Sequence, residues 1–522
     1  MIQFAKRKGI QRLKLISLVL TMSIVPFGSH AANTKTKHQK EEWHIPTNYQ
    51  KAPEWLKDAK FGIYLHWGVL SVPAYANDWY ARNMHIEGTE AYKHQVATYG
   101  PLNKFGYQDF VPMFKAQYFN ADQWANLFVK AGAKFAGQVA EHHDGFSMWA
   151  SKINPWNVKD MGPHEDVMAK LSKAIHDRGL KFVTTFHMAR NLQIYANNPK
   201  AQSDTSYYPY NKNMFTSSTD PKLRMLYGNI PAKQFDKNWL GKLEEVISHY
   251  HPDLIYFDGL LTKIPQDYRQ NFINYYLKSA AKNHQQVVIT HKDEDLSDQV
   301  SVRDFERGRP NKLLPYIWMC DETIGIGSWS YVENLQIKPA AEIIHELIDI
   351  VSKNGVMLLN ISPRADGIIP ENQQKVLLEI GNWLNQYGEA IYDTRPWIVF
   401  GEGPTRLKKG GAFQSQVKYT PEDIRYTTHS NFIYATMLGW PGDNKEIVLT
   451  AFGENKLDGD LKIENITLPG DNEPVRWEWK KDGLHIFTPA HMHDSIVTVF
   501  KIKTTGKATL KQLHENHNRC EQ

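Results

Sequence analysis

Six short apolar runs between residues 61 and 308 each end in side chains able to bind a polar ligand or move a proton. His66 and Trp67 end the first, Glu141 to Asp144 the second and His187 the third. Asp258 ends the fourth, His291 and Lys292 the fifth, and Arg303 and Glu306 the sixth. Any one of these endings is a weak signal, and their recurrence is the informative feature. In DLIYFDG an apolar strand runs straight into Asp258 and a glycine, which suits a nucleophile at an open rim. The same placing suits an acid that caps the next turn. His142 and His143 are adjacent, so both can face one ligand only where the strand bends. Without a bend, one is a buried structural imidazole and the other is solvated. His66 beside Trp67 fits a wall that stacks on the apolar face of a sugar and donates to its hydroxyls, although Trp67 taken alone reads as core packing.

Such endings meet only if the runs lie side by side and point the same way. FGIYLHWG (61–68), FAGQVAEHHDGF (135–146), LKFVTTFHM (180–188), DLIYFDG (253–259), QVVITHK (286–292), RDFERG (303–308), YIWMCDE (316–322) and VMLLNIS (356–362) supply eight candidate strands, the number that closes a barrel. Amphipathic helices are expected at 121–133, 165–178, 236–251, 267–283 and 339–353, and this alternation argues for βα units around a parallel sheet. The stretches after the fifth, sixth and seventh runs are too short or too polar for full helices, so the expected fold is an imperfect (β/α)8 TIM-like barrel. Beyond the helix expected at 371–389 and Pro396 the pattern changes to alternating apolar and polar residues, as in NFIYATMLGW (431–440), KEIVLTAF (445–452) and SIVTVFKIK (495–503). That reads as a C-terminal antiparallel β-sandwich. The expected division is 1–31 export signal, 45–394 barrel, 395–504 sandwich and 505–522 loose tail.

At the C-terminal rim of such a barrel, cleavage of a glycoside needs two carboxyl groups flanking the scissile bond, one of them kept protonated. Asp258 supplies one, and Glu306, Glu141, Asp144 and Glu322 are the candidates for the other. Arg303 and Arg307 flank Glu306 and favour its ionised form unless burial opposes them.

The 522 residues carry 61 Lys and Arg against 56 Asp and Glu. Five of those cations, Lys6, Arg7, Lys8, Arg12 and Lys14, lie in residues 1–31 with no acid, so the remainder is charge-balanced. A balanced chain gives no reason to invoke nucleic acid or an anionic membrane, both of which select a basic face. The basic stretch leads into an apolar run, 15–27, and then Ser29, His30, Ala31 and Ala32, the layout of a secretory signal peptide. The run is shorter than the roughly 20 residues that span a bilayer. Cleavage after Ala31 or Ala32 leaves a periplasmic or secreted protein with no expected membrane partner. Cys320 and Cys520 do not form a disulfide framework and are expected to be free. With 15 Trp and 25 Tyr, the chain has ample material for a large core and is not a disordered one.

KFGIYLHWGVLSVPAYANDWY, EHHDGFSMWAS, WNV with GPHEDV, DLIYFDG, SWSY, NGVMLLNISPRADGIIP and YDTRPW, in this order, resemble the α-L-fucosidases of glycoside hydrolase family 29. The likeness runs from about residue 50 to 400, and RYTTHSNFIYATMLGWPG (425–442) resembles that family's C-terminal β-module. The resemblance implies a retaining, exo-acting enzyme that releases terminal α-L-fucose from fucosylated oligosaccharides or glycoconjugates through a covalent intermediate. It implies Asp258 as nucleophile and, by matching FERG, Glu306 as acid/base. It implies binding roles for His66, Trp79, His142, His143 and Trp329. Trp67, Asp78, His187 and Lys292 complete the expected binding set. Asp78 stands where the family usually has Glu, Phe186 and His187 where Tyr-Ser is common, Lys292 near an expected Arg, and Met319 where many members have Glu. Shortening Glu to Asp at 78 withdraws the carboxylate by one methylene, which bears on substrate range more than on reaction type.

Two rivals follow from the same residues. A metal-dependent hydrolase would use His66, His142, His143, His187 and His291 as ligands, but no HxH or HExxH spacing is present, so no metal or other cofactor is expected. A fucose-binding protein without turnover would keep the pocket and lose the chemistry.

Overall fold

The computed structural model describes residues 42–193, 206–407, 409–413, 417–469, 475–491 and 494–511. The expected signal segment and Cys520 lie outside the described residues.

Eight parallel strands form the N-terminal sheet: β1 (Phe61–Leu65), β2 (Phe135–Glu141), β3 (Lys181–Phe186), β4 (Leu254–Phe257), β5 (Val288–His291), β6 (Val302–Arg303), β7 (Trp318–Thr323) and β8 (Gly355–Ile361). Their hydrogen-bonded order is β6-β5-β4-β3-β2-β1-β8-β7, so only the step from β6 to β7 remains to close the ring. A single parallel bridge between Asp304 and Met319 makes that step. Two amides reinforce it, Phe305 donating to the Met319 carbonyl at 2.9 Å and Arg307 to the Asp321 carbonyl at 2.8 Å. The barrel is imperfect because β6 is two residues long and, among the described residues, no helix follows β5 or β6. The connector after the seventh strand carries the helix expected at 339–353, so it is not too short or too polar for a full one. A full helix, Ala340–Ser352, does form there, and Ile343, Ile344, Leu347, Ile350 and Val351 bury its apolar face.

Residue parity aims the strand ends. Side chains two apart on a strand share a face. Tyr64, Val183, Leu254, Tyr256, Val288, Val302, Met319 and Leu358 belong to one buried cluster inside the barrel, whereas Ile63, Phe182, Ile255, Phe257 and Ile289 pack outward in another. Continuing the inward set by two or four positions reaches His66, His187, Asp258, Lys292, Glu306, Asp321 and Asn360. Each buried aliphatic or aromatic side chain stabilises the barrel by roughly 1.5–3 kcal/mol, and the same parity delivers the polar residues to its mouth.

In the C-terminal module, Arg395–Glu402, Ile424–His429, Phe432–Met437, Lys462–Thr467 and Thr498–Thr505 form one antiparallel sheet. Glu446–Leu449, Trp477–Lys480 and Gly483–Phe487 form a second. Trp397, Tyr426, Phe452, Leu484, Ile486 and Phe500 belong to the module's buried apolar cluster. The expected loose tail is corrected at its start, because Ala508–Leu510 pairs with Leu457–Gly459. Backbone pairing with that distant strand holds these three residues at the start of an otherwise polar tail.

One carboxylate ties the module to the barrel. Asp349, fully buried on the helix Ala340–Ser352, accepts from Arg425 Nε at 2.5 Å and from Lys353 Nζ at 2.7 Å. Arg309 Nε, also fully buried, lies 3.1 Å from the same group in an ion pair not aligned as a hydrogen bond. Burial opposes ionisation of Asp349, but Lys353, Arg425 and Arg309 outweigh it and hold the carboxyl well below its usual range.

Candidate active site

Three charged groups from three strand ends meet at the barrel mouth. Lys292 Nζ donates to Asp258 Oδ1 in a short contact and to Glu306 Oε2 at 2.8 Å, and lies 3.5 Å from Asp321 Oδ2. Burial works against ionised Asp258, but Lys292 with His187 and His143 outweighs it, so the carboxyl sits well below the ordinary range. Glu306 goes the other way. Burial raises it, Lys292 opposes, and the negative charges of Asp321 and Asp258 help carry it up to about 7. Lys292 loses hydration on burial, yet these acids keep it charged well above its usual range. The two carboxyls are therefore split, one ionised and one protonated near neutrality, as an acid and a nucleophile require.

Below them, Tyr256 donates to Asp321 Oδ2 at 3.0 Å, and Asp304 Oδ1 accepts from the Asp321 amide at 2.8 Å. Burial and adjacent Asp321 push the Asp304 carboxyl up.

The histidines line one wall. The ladder between β2 and β3 slips between Val139 and Glu141, which supplies the bend that lets both His142 and His143 face the pocket. His143 Nδ1 donates to the His187 carbonyl at 2.5 Å, and its Nε2 lies 3.2 Å from Asp258 Oδ2. His187 Nδ1 lies 2.9 Å from that oxygen, while its Nε2 pairs with Thr185 Oγ1 at 3.0 Å. His66 is set by Asn360, whose Oδ1 accepts from the His66 amide at 2.9 Å and contacts Nδ1 at 2.8 Å. The Asn360 amide also donates to the Trp329 carbonyl at 2.7 Å, so one β8 residue positions two pocket walls. Burial first, then neighbouring imidazoles, hold His66 and His142 well below the usual imidazole range, and burial takes His143 down to about 4. These rings are neutral partners for hydroxyl groups. His142 Nδ1 is buried without a hydrogen-bond partner. Among the described residues, ligand atoms of His66, His142 and His187, and likewise of His143, His187 and Asp258, lie within 4.8 Å of one another, close enough to share a metal ion.

Asp78, Trp79 and Trp329 shape the opposite side. Asp78 Oδ1 accepts from the Trp329 amide at 3.1 Å, and burial raises the Asp78 carboxyl. Trp79 packs at 5.5 Å from His143 and under the Arg190 guanidinium at 5.2 Å. The cavity is about 390 Å³ and open on one side, within the range of small-ligand sites. A larger cavity of about 510 Å³ lies between residues 46–53 and the helix Gln266–Lys282, but no carboxyl pair lines it.

The structure brings His66, Asp78, Trp79, His142, His143, His187, Asp258, Lys292, Glu306 and Trp329 to one cavity. Trp67 is the correction. Its indole donates to the Arg364 carbonyl at 2.8 Å and packs 4.8 Å from Trp124 and 5.0 Å from Phe119, away from the pocket. The strand ends at Leu65, and the chain then turns the indole into the aromatic cluster beneath the rim. The other acids considered are also occupied elsewhere. Glu141 pairs with Lys242 at 2.7 Å, Asp144 accepts from Tyr107 at 2.6 Å, and Glu322 pairs with Lys338 at 3.0 Å. His291 contacts Ser301, and Arg303 contacts Glu294. Asn77, Arg190, Asp321, Gly327 and Phe413 line the cavity without having been expected there. Of these, only Asp321 and the positioning residue Asn360 carried a usable signal, inward parity on β7 and β8.

The alpha-L-fucosidase family model matches residues 27–389, and the alpha-L-fucosidase C-terminal domain model matches 416–503. Tissue alpha-L-fucosidase of Rattus norvegicus is 31% identical over 401 residues, 75% of this chain and 77% of that protein. The Homo sapiens tissue alpha-L-fucosidase is 29% identical over 474 residues, 87% and 89% of the two chains. The crystal structure of Thermotoga maritima alpha-fucosidase superposes with a TM-score of 0.68 at 27% identity, covering 87% of this chain and 97% of that one.

Proposed function

The chain belongs to the alpha-L-fucosidase family and is a retaining, exo-acting glycoside hydrolase of fucosylated substrates, and from that premise we propose that Asp258 and Glu306 carry its two displacements. The observation that carries this assignment is the shared ammonium of Lys292, in contact with an oxygen of each carboxyl. Two oxygens on one nitrogen are no further apart than two hydrogen-bond lengths. That supports the about 5–5.5 Å carboxyl spacing of retaining enzymes over the roughly 6.5–9.5 Å of inverting ones.

In the first step Asp258 attacks the anomeric carbon while protonated Glu306 gives its proton to the departing glycosidic oxygen. In the second, Glu306 takes a proton from water as that water displaces Asp258 and releases fucose. His66, His142 and His143 offer neutral donors and acceptors to the ring hydroxyls, His187 stands beside them against Asp258, and Trp79 and Trp329 cover the apolar side of the ring. Asp78 orients Trp329 through its amide, and Lys292 lowers the charge cost of holding two acids together.

Residues 1–31 are proposed as a cleaved export signal of a periplasmic or secreted enzyme, residues 45–394 as its catalytic module and 395–504 as its β-module. Among the described residues no helix is long and apolar enough to cross a membrane. N-terminal sequencing of the exported protein tests the cleavage.

The mechanism is tested by following hydrolysis of a fucosylated oligosaccharide by NMR. The first-formed sugar is expected to be the α-anomer, and an initial β-anomer defeats the double displacement. Chelator is expected to leave turnover intact. Activity abolished by chelator and restored by zinc would transfer the three imidazoles to a metal-dependent mechanism.

A further inference from the structure

The C-terminal module reaches the catalytic rim through one short segment. Gly411 and Arg309 exchange both backbone hydrogen bonds at 3.1 Å each, and the Phe413 amide donates to the carbonyl of Glu306 itself at 2.8 Å. The approach is close: a Cβ at Gly308 would lie 2.1 Å from the Gly411 carbonyl oxygen. Phe413 sits at φ 57°, a left-handed conformation that a bulky residue adopts only where its surroundings hold it. The residue is 66% exposed, more than any other large apolar residue among the described ones, and it lines the same cavity as Asp258 and Glu306. A phenyl ring held open to water by a strained backbone has no packing reason to be there.

Its position has a chemical one. Glu306 protonates the bond to the leaving group, so that group lies on the Glu306 side of the pocket. Trp79 and Trp329 belong to the wall around the fucose ring. We propose that Phe413 is the platform for the leaving-group sugar, stacking on the apolar face of a hexopyranose attached to fucose, and that the C-terminal module thereby sets preference for the glycan beyond the fucose. This rests on the assignment of Glu306 as acid. A ring beside the acid serves only substrates whose leaving group has a face to stack, and a leaving group without a ring gains nothing from it.

The test compares wild type, Phe413→Ala and Phe413→Tyr on an α-L-fucosyl-hexose disaccharide and on α-L-fucosyl fluoride, whose leaving group is a single atom. Phe413→Ala is expected to lower kcat/KM for the disaccharide about 5- to 10-fold, mainly through KM, and to leave the fluoride unchanged. Phe413→Tyr keeps the ring and is expected to restore the disaccharide rate, with thermal unfolding of both variants unchanged because the side chain is exposed. An unchanged disaccharide rate in Phe413→Ala, or an equal loss on both substrates, overturns the platform while leaving the fucosidase reading intact. A wild type that releases fucose from neither substrate removes that reading and the platform with it.

Discussion

Lys292 Nζ lies 2.8 Å from Glu306 Oε2, yet Glu306 is pushed up to about 7. A cation at that distance favours the carboxylate, so burial and the neighbouring acids Asp321 and Asp258 outweigh it. The sign of the pH dependence follows. Glu306 must be protonated to act as acid, so kcat/KM is expected to fall as pH rises through about 7. Asp258 must be ionised, and its carboxyl lies well below the ordinary range, so the acid limb is displaced below that of a free carboxylate. A pH profile of kcat/KM measures both limbs, and a basic limb set by an unshifted carboxyl contradicts the assignment.

Replacing the nucleophile separates chemistry from binding. Asp258→Ala is expected to lower kcat by at least about 1,000-fold, the scale of losing a covalent pathway. Azide can then enter from the face that Asp258 vacates, and the expected product is β-L-fucosyl azide. Near-normal turnover in Asp258→Ala, or formation of the α-azide, would place the nucleophile elsewhere.

Lys292 depresses both carboxyls, so its removal is expected to move both limbs in one direction. In Lys292→Met the acid limb rises toward the ordinary range or beyond, and the basic limb moves above 7. The rate at the optimum falls about 10- to 100-fold through loss of a preorganised charge. Lys292→Arg retains the charge and is expected to retain both limbs. If the methionine variant moves neither limb, Lys292 does not set the charge state of the pair.

Much of this site was legible because a parallel barrel converts strand endings into one rim. Asp258, Lys292 and Glu306 each continue an inward parity that an apolar strand already announces, and the slip before Glu141 is what the HisHis pair needed. Trp67 misled because it follows the last strand residue, where parity ends and the turn decides. Asn77 sits on a loop and Arg190 ends the single 3-10 turn Met188–Arg190, neither of which carries a period. Phe413 comes from another module, and no local pattern records that its amide finds the Glu306 carbonyl. The strand at Ala508–Leu510 is only three residues long, too short to show an alternation, and its pairing with Leu457–Gly459 about fifty residues away leaves no local signal.

Asp349 is expected to matter for stability more than its single charge suggests. Asp349→Asn leaves Arg309, Arg425 and Lys353 buried with an uncompensated charge, which costs about 3–5 kcal/mol. The carboxyl is depressed in the folded protein, so its contribution is present above the unfolded value of about 3.9 and is lost as pH falls below it. Urea unfolding at neutral and acidic pH is expected to show a large gap between wild type and variant that narrows on acidification. A gap that stays constant with pH, or is absent, removes Asp349 from this role.

The short sixth strand has a consequence for how the enzyme fails. A ring of eight whose last step rests on one bridge and two further amides is expected to open there first when heated, since local opening begins where backbone pairing is sparsest. That joint carries the proton donor, while the attacking carboxylate stands on the fully laddered side. Warming is therefore expected to lower activity before it unfolds the barrel, and activity and circular dichroism followed over one temperature ramp check it: coincident losses contradict it.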